Sequence, residues 1–122
     1  MGATFGAFFK ATRAKRRLSL REFCLENRLD PGNISRLERG LMPPPESRAI
    51  LEQYAGALGI KSGTDDWYMF FDLAAAEHGK IPQDVLDDES VVEQLPVLFR
   101  TLRGQRVSQQ ALDDLVDRIR KS

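Results

Sequence analysis

Apolar residues recur every three or four positions along most of the chain, which is the spacing of one face of an α-helix. Phe5, Phe8 and Phe9 begin this pattern and predict a first helix from about Thr4 to Arg16. No segment of the sequence alternates apolar and polar residues with the period of two that is typical of a strand. The pattern therefore predicts an all-α protein.

Polar residues and glycines mark the next helix ends. Ser19, with Glu22 three residues later, matches a capping box and predicts the start of a second helix. Asp30 followed by Pro31 predicts the start of a third, because a capping side chain and a proline in the first turn both favour a helix start. This third helix is expected to end before Gly40.

Further caps predict a fourth and a fifth helix, followed by a less regular last third. Ser47 and Gly59 bound the fourth helix, and Thr64 and Gly79 bound the fifth. Apolar periods then predict helical segments near residues 82–86, 90–104 and 108–119. Pro96 falls inside the second of these, so that this segment either kinks there or consists of two pieces.

Charge divides the chain into two halves, although its formal net charge is zero. Residues 1–61 carry 11 Lys and Arg against 6 Asp and Glu, whereas residues 62–122 carry 7 against 12. A basic half suits phosphate groups, and an acidic half suits either solvent or a basic protein. We therefore expect two regions with different surroundings and a boundary after residue 61.

Composition and single residues exclude several classes of protein. The 122 residues suffice for one compact core, and no apolar stretch approaches the roughly 20 residues needed to cross a bilayer. The charge order of a secretory signal is missing, so we expect a cytoplasmic protein. The lone Cys24 excludes an internal disulfide and is expected to be a packing residue. With His78 far from any nucleophile and no phosphate-binding glycine loop, we expect no enzyme activity, metal or cofactor.

The segment from Leu18 to Gly40 holds two short capped helices separated by only about two residues. A turn this tight makes the helices cross steeply, so that one can lie in the major groove of DNA while the other crosses the backbone. Phe23, Ile34 and Leu37 are expected to hold the pair to the first helix. The segment therefore predicts a helix-turn-helix.

This segment resembles the helix-turn-helix of the Xre-type family, which includes phage repressors and many antitoxins. The residues that carry the likeness are Ser19, Glu22, Phe23, Ile34, Ser35, Leu37, Glu38, Gly40 and Pro43. The likeness covers residues 4–60 and implies a five-helix, lambda-repressor-like DNA-binding domain with a C-terminal helical extension. The sequence departs from the family at Leu20, where glutamine is common, and at Arg28, where glycine is common. These departures put in question one DNA contact and the geometry of the turn.

By this resemblance, the third helix enters the major groove of double-stranded DNA by its N-terminal end. The residues that would face the bases are Pro31, Gly32, Asn33 and Arg36. Asn33 suits adenine and Arg36 suits guanine, each through a bidentate pair worth roughly 1–3 kcal/mol of discrimination. Pro31 and Gly32 have no side chain that bonds a base, so DNA shape or backbone contacts are expected to supply part of the specificity.

Cations and caps near the helix ends are expected to contact phosphates. The expected phosphate-binding residues are Arg13, Arg16, Arg17, Ser19, Arg21 and Arg39. The alternative is a solvated basic face. Glu38 stands at a position that is often glutamate in the resembling family and is usually structural there, so the resemblance implies an ion pair or a cap contact within the protein rather than a contact with DNA.

Helix-turn-helix regulators usually bind DNA as dimers, since one half-site supplies limited affinity. The candidate dimer or partner residues are apolar positions of the last helices: Leu98, Phe99, Leu102, Leu112, Leu115 and Ile119. The alternative is that these helices pack on each other within one chain. Trp67, Phe70 and Phe71 of the fifth helix are expected to complete the core of the DNA-binding domain.

The sequence leaves three functions open. The first is a sequence-specific repressor that binds a palindromic operator as a homodimer, through residues 1–61, with residues 62–122 for dimerisation or partner binding. The second is an antitoxin, whose acidic half neutralises a basic toxin while the basic half represses their shared promoter. The third is a protein-interaction module that kept the fold but lost DNA binding.

Overall fold

The computed structural model describes residues 4–104, together with residues 109–110, 113–114 and 117. The regular structure of these residues is entirely helical, which confirms the predicted all-α class. Their helices are α1 (Phe5–Lys15), α2 (Leu20–Asn27), α3 (Pro31–Glu38), α4 (Arg48–Ala57), α5 (Asp65–Glu77), α6 (Gln83–Leu86) and α7 (Glu89–Leu102). None of the helices described has both the length and the apolar content to cross a membrane. The predicted partner residues Leu112, Leu115 and Ile119 lie outside the described residues.

Side-chain caps start the first five helices at the positions predicted from the sequence. The capping oxygen of each accepts a hydrogen bond from a backbone N–H of the first turn, and the residues that supply it are Thr4, Ser19, Asp30, Ser47 and Thr64. Each bond satisfies a donor that the helix itself leaves unpaired. The helix starts are therefore fixed by local chemistry.

The chain divides into two compact units, with the boundary between Lys80 and Ile81. The charge pattern predicts a boundary after residue 61, whereas α5 belongs to the first unit. The Phe70 ring of α5 lies 4.9 Å from the Phe5 ring of α1, and Glu77 Oε1 accepts a hydrogen bond from the Phe5 N–H at 2.8 Å. The first unit therefore contains five helices.

Buried phenylalanines join the helices of the first unit. Phe9 of α1 is fully buried, and its ring lies 5.7 Å from that of Phe23 in α2 and 5.8 Å from that of Tyr54 in α4. Complete burial of such a side chain contributes about 1.5–3 kcal/mol relative to leaving it exposed. The aromatic residues of α1 thus hold α2, α4 and α5 around one core.

Gly6 allows α1 to approach the end of α3 closely. A Cβ atom at this buried position would overlap the carbonyl oxygen of Leu37 and would lie 2.8 Å from that of Glu38. Both neighbours are backbone atoms, so neither can move aside without shifting α3. The absence of a side chain at Gly6 therefore sets the position of α3 on the core.

The second unit contains α6 and α7, which pack on each other. The cap of α7 is Asp88, whose carboxylate accepts a hydrogen bond from the Ser90 N–H at 2.9 Å, so α7 begins at Glu89, one residue before the predicted segment 90–104, and its cap is Asp88 rather than Ser90. The helix runs through Pro96 without a break, which excludes the alternative of two pieces. Pro96 is exposed, so water can bond the carbonyl that this residue leaves without a helical partner.

Substitution of Gly6 by alanine is expected to lower the free energy of unfolding by about 1–3 kcal/mol, because the methyl group would push α1 away from α3. Gly56 provides a matched control, since it lies within α4 and has open space around its Cα. Gly56→Ala is expected to raise the free energy of unfolding by roughly 0.5–1 kcal/mol through the helix preference of alanine. Urea unfolding measures the free energy of unfolding of both variants. Equal changes in the two variants would contradict the close approach of α1 to α3 at Gly6.

Candidate nucleic-acid interface

Three residues, Arg28 to Asp30, connect α2 to α3, and the two helices pack against each other. Arg28 has left-handed backbone angles (φ 55°, ψ 47°), and the N–H groups of Arg28 and Leu29 both donate to the Cys24 carbonyl. These bonds end α2 and turn the chain at once. The tight turn predicted from the sequence is present, with Arg28 in a conformation that glycine adopts most easily.

The two sides of α3 have opposite surroundings. Ile34 and Leu37 are buried in the core of the first unit. The four predicted base-contacting residues are all exposed: Pro31, Gly32, Asn33 and Arg36. One side of α3 therefore presents its side chains to solvent while the other side is held by packing.

The two side chains expected to contact bases are bonded to each other. Arg36 Nη2 donates a hydrogen bond to Asn33 Oδ1. A bidentate contact with adenine requires this same oxygen to accept a bond from the base, so the Arg36 bond has to be shared or exchanged when DNA binds. The pairing holds both groups near the start of α3.

Arg21 and Arg28 lie beside the N-terminal end of α3. With Leu25, Leu29 and Pro31, and with Cys24 below them, they line an open hollow of about 430 Å³ between α2 and α3. Arg21 belongs to the predicted phosphate-binding set, whereas Arg28 does not. The sequence signal for Arg28 is that an arginine stands at a position where glycine is common in the resembling family. We call the exposed residues Arg21, Arg28, Pro31, Gly32, Asn33 and Arg36 the α3 surface.

Arg13, which was expected to contact phosphate, forms a buried ion pair instead. Its Nε and Nη2 donate to the two Glu38 oxygens at 2.8 and 2.9 Å, and its Nη1 donates to the Leu18 carbonyl at 2.9 Å. The side chains of Arg13 and Glu38 are only 11% and 5% exposed. The hydrogen bonds with Glu38 raise the pKa of Arg13 against the opposing effect of burial. Arg13 therefore stabilises the fold, and the expected structural role of Glu38 is confirmed.

Two other members of the predicted phosphate-binding set also bond within the protein. Arg16 Nη1 donates to the carbonyl of Ala57 at the end of α4. The Ser19 N–H donates to Glu22 Oε1 at 3.2 Å, and the Glu22 N–H donates to Ser19 Oγ at 3.1 Å. Hydrogen bonds from Ser19 to the Glu22 carboxylate lower the pKa of Glu22, and this carboxylate places a negative charge at the start of α2. That charge opposes phosphate binding at Ser19.

Arg17 and Arg39 complete the predicted set, and both are exposed. Arg17 follows α1 with a positive φ of 59°, and Arg39 Nε donates to the Ser35 carbonyl at the end of α3. Leu20, at the position where the resembling family often has glutamine, is half-buried against the core. Leu20 therefore contributes packing at the position where a DNA contact was in question.

Cys24 and the groups that could bind a metal ion are the other candidates for a functional site among the described residues. Burial raises the pKa of the Cys24 thiol, which favours its protonated and unreactive form. The described part of the chain also contains no group of three or more His, Cys, Asp or Glu side chains that could hold a metal ion. The α3 surface is thus the strongest candidate for a functional site.

Comparison with protein-family models, curated proteins and solved structures gives no match for the chain. The geometry and charge of the α3 surface therefore carry the functional proposal.

The Arg13–Glu38 pair is expected to contribute far more to stability than an exposed pair. Glu38→Gln leaves the Arg13 charge buried without its counter-ion and is expected to cost about 3 kcal/mol of unfolding free energy. Glu52→Gln is the matched control, because its pair with Arg48 is 52–63% exposed and should cost less than about 1 kcal/mol. Urea unfolding of the two variants measures the difference, and similar losses would show that the buried pair has no special weight.

Proposed function

We propose that the chain is a sequence-specific DNA-binding regulator whose first unit is a lambda-repressor-like domain. The observation that carries the proposal is the position of α3, which is anchored by Ile34 and Leu37. The helix exposes Asn33 in its first turn and Arg36 in its last turn, and the Arg36 guanidinium is bonded back to Asn33 Oδ1. In a helix-turn-helix, the N-terminal end of the second helix enters the major groove. The anchoring matters because a helix held on a rigid core loses little freedom when it binds.

The chemistry of the exposed residues supports the same proposal. Arg36 offers the planar pair of donors that fits the O6 and N7 acceptors of guanine, and Asn33 offers the donor and acceptor that fit adenine. Gly32, directly before Asn33, adds no side chain, so the backbone at the start of α3 can approach the base edges closely. Exposed arginines at positions 21, 28 and 39 suit the phosphates on either side of the groove.

We further propose that the regulator acts as a homodimeric repressor through the second unit. Val91 and Leu95 are buried on one side of α7. Val92, Pro96 and Phe99 form a second row at i, i+4 and i+7, and all three are exposed. Leu102 lies one turn further along and is 73% exposed. A second copy of this row would cover these apolar side chains and would double the number of DNA contacts.

The proposal predicts saturable binding to a duplex from the region upstream of the gene, with an affinity that falls steeply as salt rises. Asn33→Ala and Arg36→Ala are each expected to weaken this binding by roughly 1–3 kcal/mol, because each removes a base contact. The affinity of Asn33→Ala for an unrelated duplex should stay close to that of the wild type. Fluorescence anisotropy over a salt series measures all of these values.

Two variants control for the loss of an amide and of a charge. Gln53→Ala removes an exposed amide from α4, and Lys80→Ala removes an exposed cation after α5. Neither is expected to change the affinity by more than about twofold, since neither lies on the α3 surface and rim charges contribute little. Wild-type protein without saturable, salt-dependent binding would refute the proposal and favour a protein-interaction module.

Leu102→Glu is expected to convert the dimer to a monomer, because it places a charge in the row of apolar residues that the second copy would cover. Met69→Glu introduces the same charge at a 46% exposed position of α5 and should leave the dimer intact. Sedimentation velocity at micromolar concentrations gives the mass of each variant. A wild-type monomer, or an unchanged mass for Leu102→Glu, would contradict the assigned interface.

A further inference from the structure

Arg28 occupies a backbone conformation that the chain elsewhere assigns mainly to glycine. Gly40, Gly59 and Gly79 have φ of 75°, 74° and 68° after α3, α4 and α5. An L-residue in this region is strained relative to its preferred conformations, whereas glycine adopts it freely. Glycine at position 28 would thus fit the backbone of the turn better than arginine does. The conformation of the turn therefore does not explain why position 28 is arginine.

The surroundings of Arg28 indicate what its side chain contributes. Arg21, Leu25 and Arg28 follow each other at i, i+4 and i+7, and all three are exposed around the hollow between α2 and α3. None of the described residues that line the hollow is acidic. Two like charges placed over apolar side chains repel each other unless an anion lies between them. The position of the hollow, beside Pro31 at the start of α3, fits an anion that is part of DNA.

We propose that Arg21 and Arg28 together bind one backbone phosphate of the DNA strand next to the groove that α3 enters. The inference rests on the proposed DNA-binding function and adds a contact to it. Guanidinium groups bind phosphate oxygens through paired, charge-assisted hydrogen bonds. A single phosphate between the two guanidinium groups would offset the repulsion between their positive charges. Arginine at position 28 is therefore less favourable for the turn than glycine would be, but it supplies this phosphate contact.

The test compares the salt dependence of binding for wild type, Arg21→Ala, Arg28→Gly and the double variant. Each single variant is expected to bind both the upstream duplex and an unrelated duplex about tenfold more weakly, because a phosphate contact carries no sequence information. The slope of log K against log salt should fall by about 0.9 in the double variant, the value for one phosphate. Arg28→Gly should unfold at a higher urea concentration than wild type, since glycine relieves the turn.

Three outcomes would overturn the inference. The first is an Arg28→Gly variant whose affinity and salt slope equal those of the wild type. The second is a fall of about 1.8 in the slope of log K against log salt for the double variant, which would mean that the two arginines bind two separate phosphates. The third is a loss of affinity for the upstream duplex alone, which would make Arg28 a base contact. In all three outcomes the wild type still binds DNA. If the proposed function itself is wrong, the wild type does not bind DNA, so the two failures can be told apart. Arg28→Lys, which keeps the charge at the turn, is expected to recover part of the affinity.

Discussion

The ion pair between Arg13 and Glu38 joins the first helix to the last turn of α3 and so holds the exposed residues of α3 in place. Two hydrogen bonds at 2.8 and 2.9 Å connect the side chains, and a third ties Arg13 to the Leu18 carbonyl just before α2. One guanidinium thus fixes three segments of the first unit. A buried pair of this kind gives a defined geometry, because each charge is costly in any arrangement that separates it from the other.

This anchor divides α3 into a fixed end and a free end. Gly6 brings the backbone of α1 against the Leu37 and Glu38 carbonyls, so the C-terminal end of α3 has no room to shift. The N-terminal end is open to solvent, and its exposed residues follow from that orientation. Asn33 and Arg36 are exposed and so available for a partner, whereas the equally cationic Arg13 of α1 is bonded to Glu38 and is not.

Local signals predicted the all-α class and the helix starts of the first unit, whereas contacts between distant residues limited the prediction of the site. The caps at Ser19 and Asp30 act within four residues, so the starts of α2 and α3 were visible in the sequence. The partners of Arg13 and Arg16 are 25 and 41 residues away, and no short pattern reveals that these arginines bond within the protein. In the sequence, Arg28 was noted only as a departure from the glycine that is common at this position. Its place beside Arg21 could not be predicted, because it depends on how α2 and α3 pack.

We propose that the exposed side of α3 and the neighbouring part of α2 contact DNA. Titration of ¹⁵N-labelled protein with a duplex from the region upstream of the gene, followed by NMR, tests this claim most directly. We predict that the largest shift changes fall on the amides of residues 21–36 and on the Asn33 side chain, and that they fade as salt is added. Changes confined to residues 81–104, or spread evenly over the basic residues of the first unit, would contradict the claim.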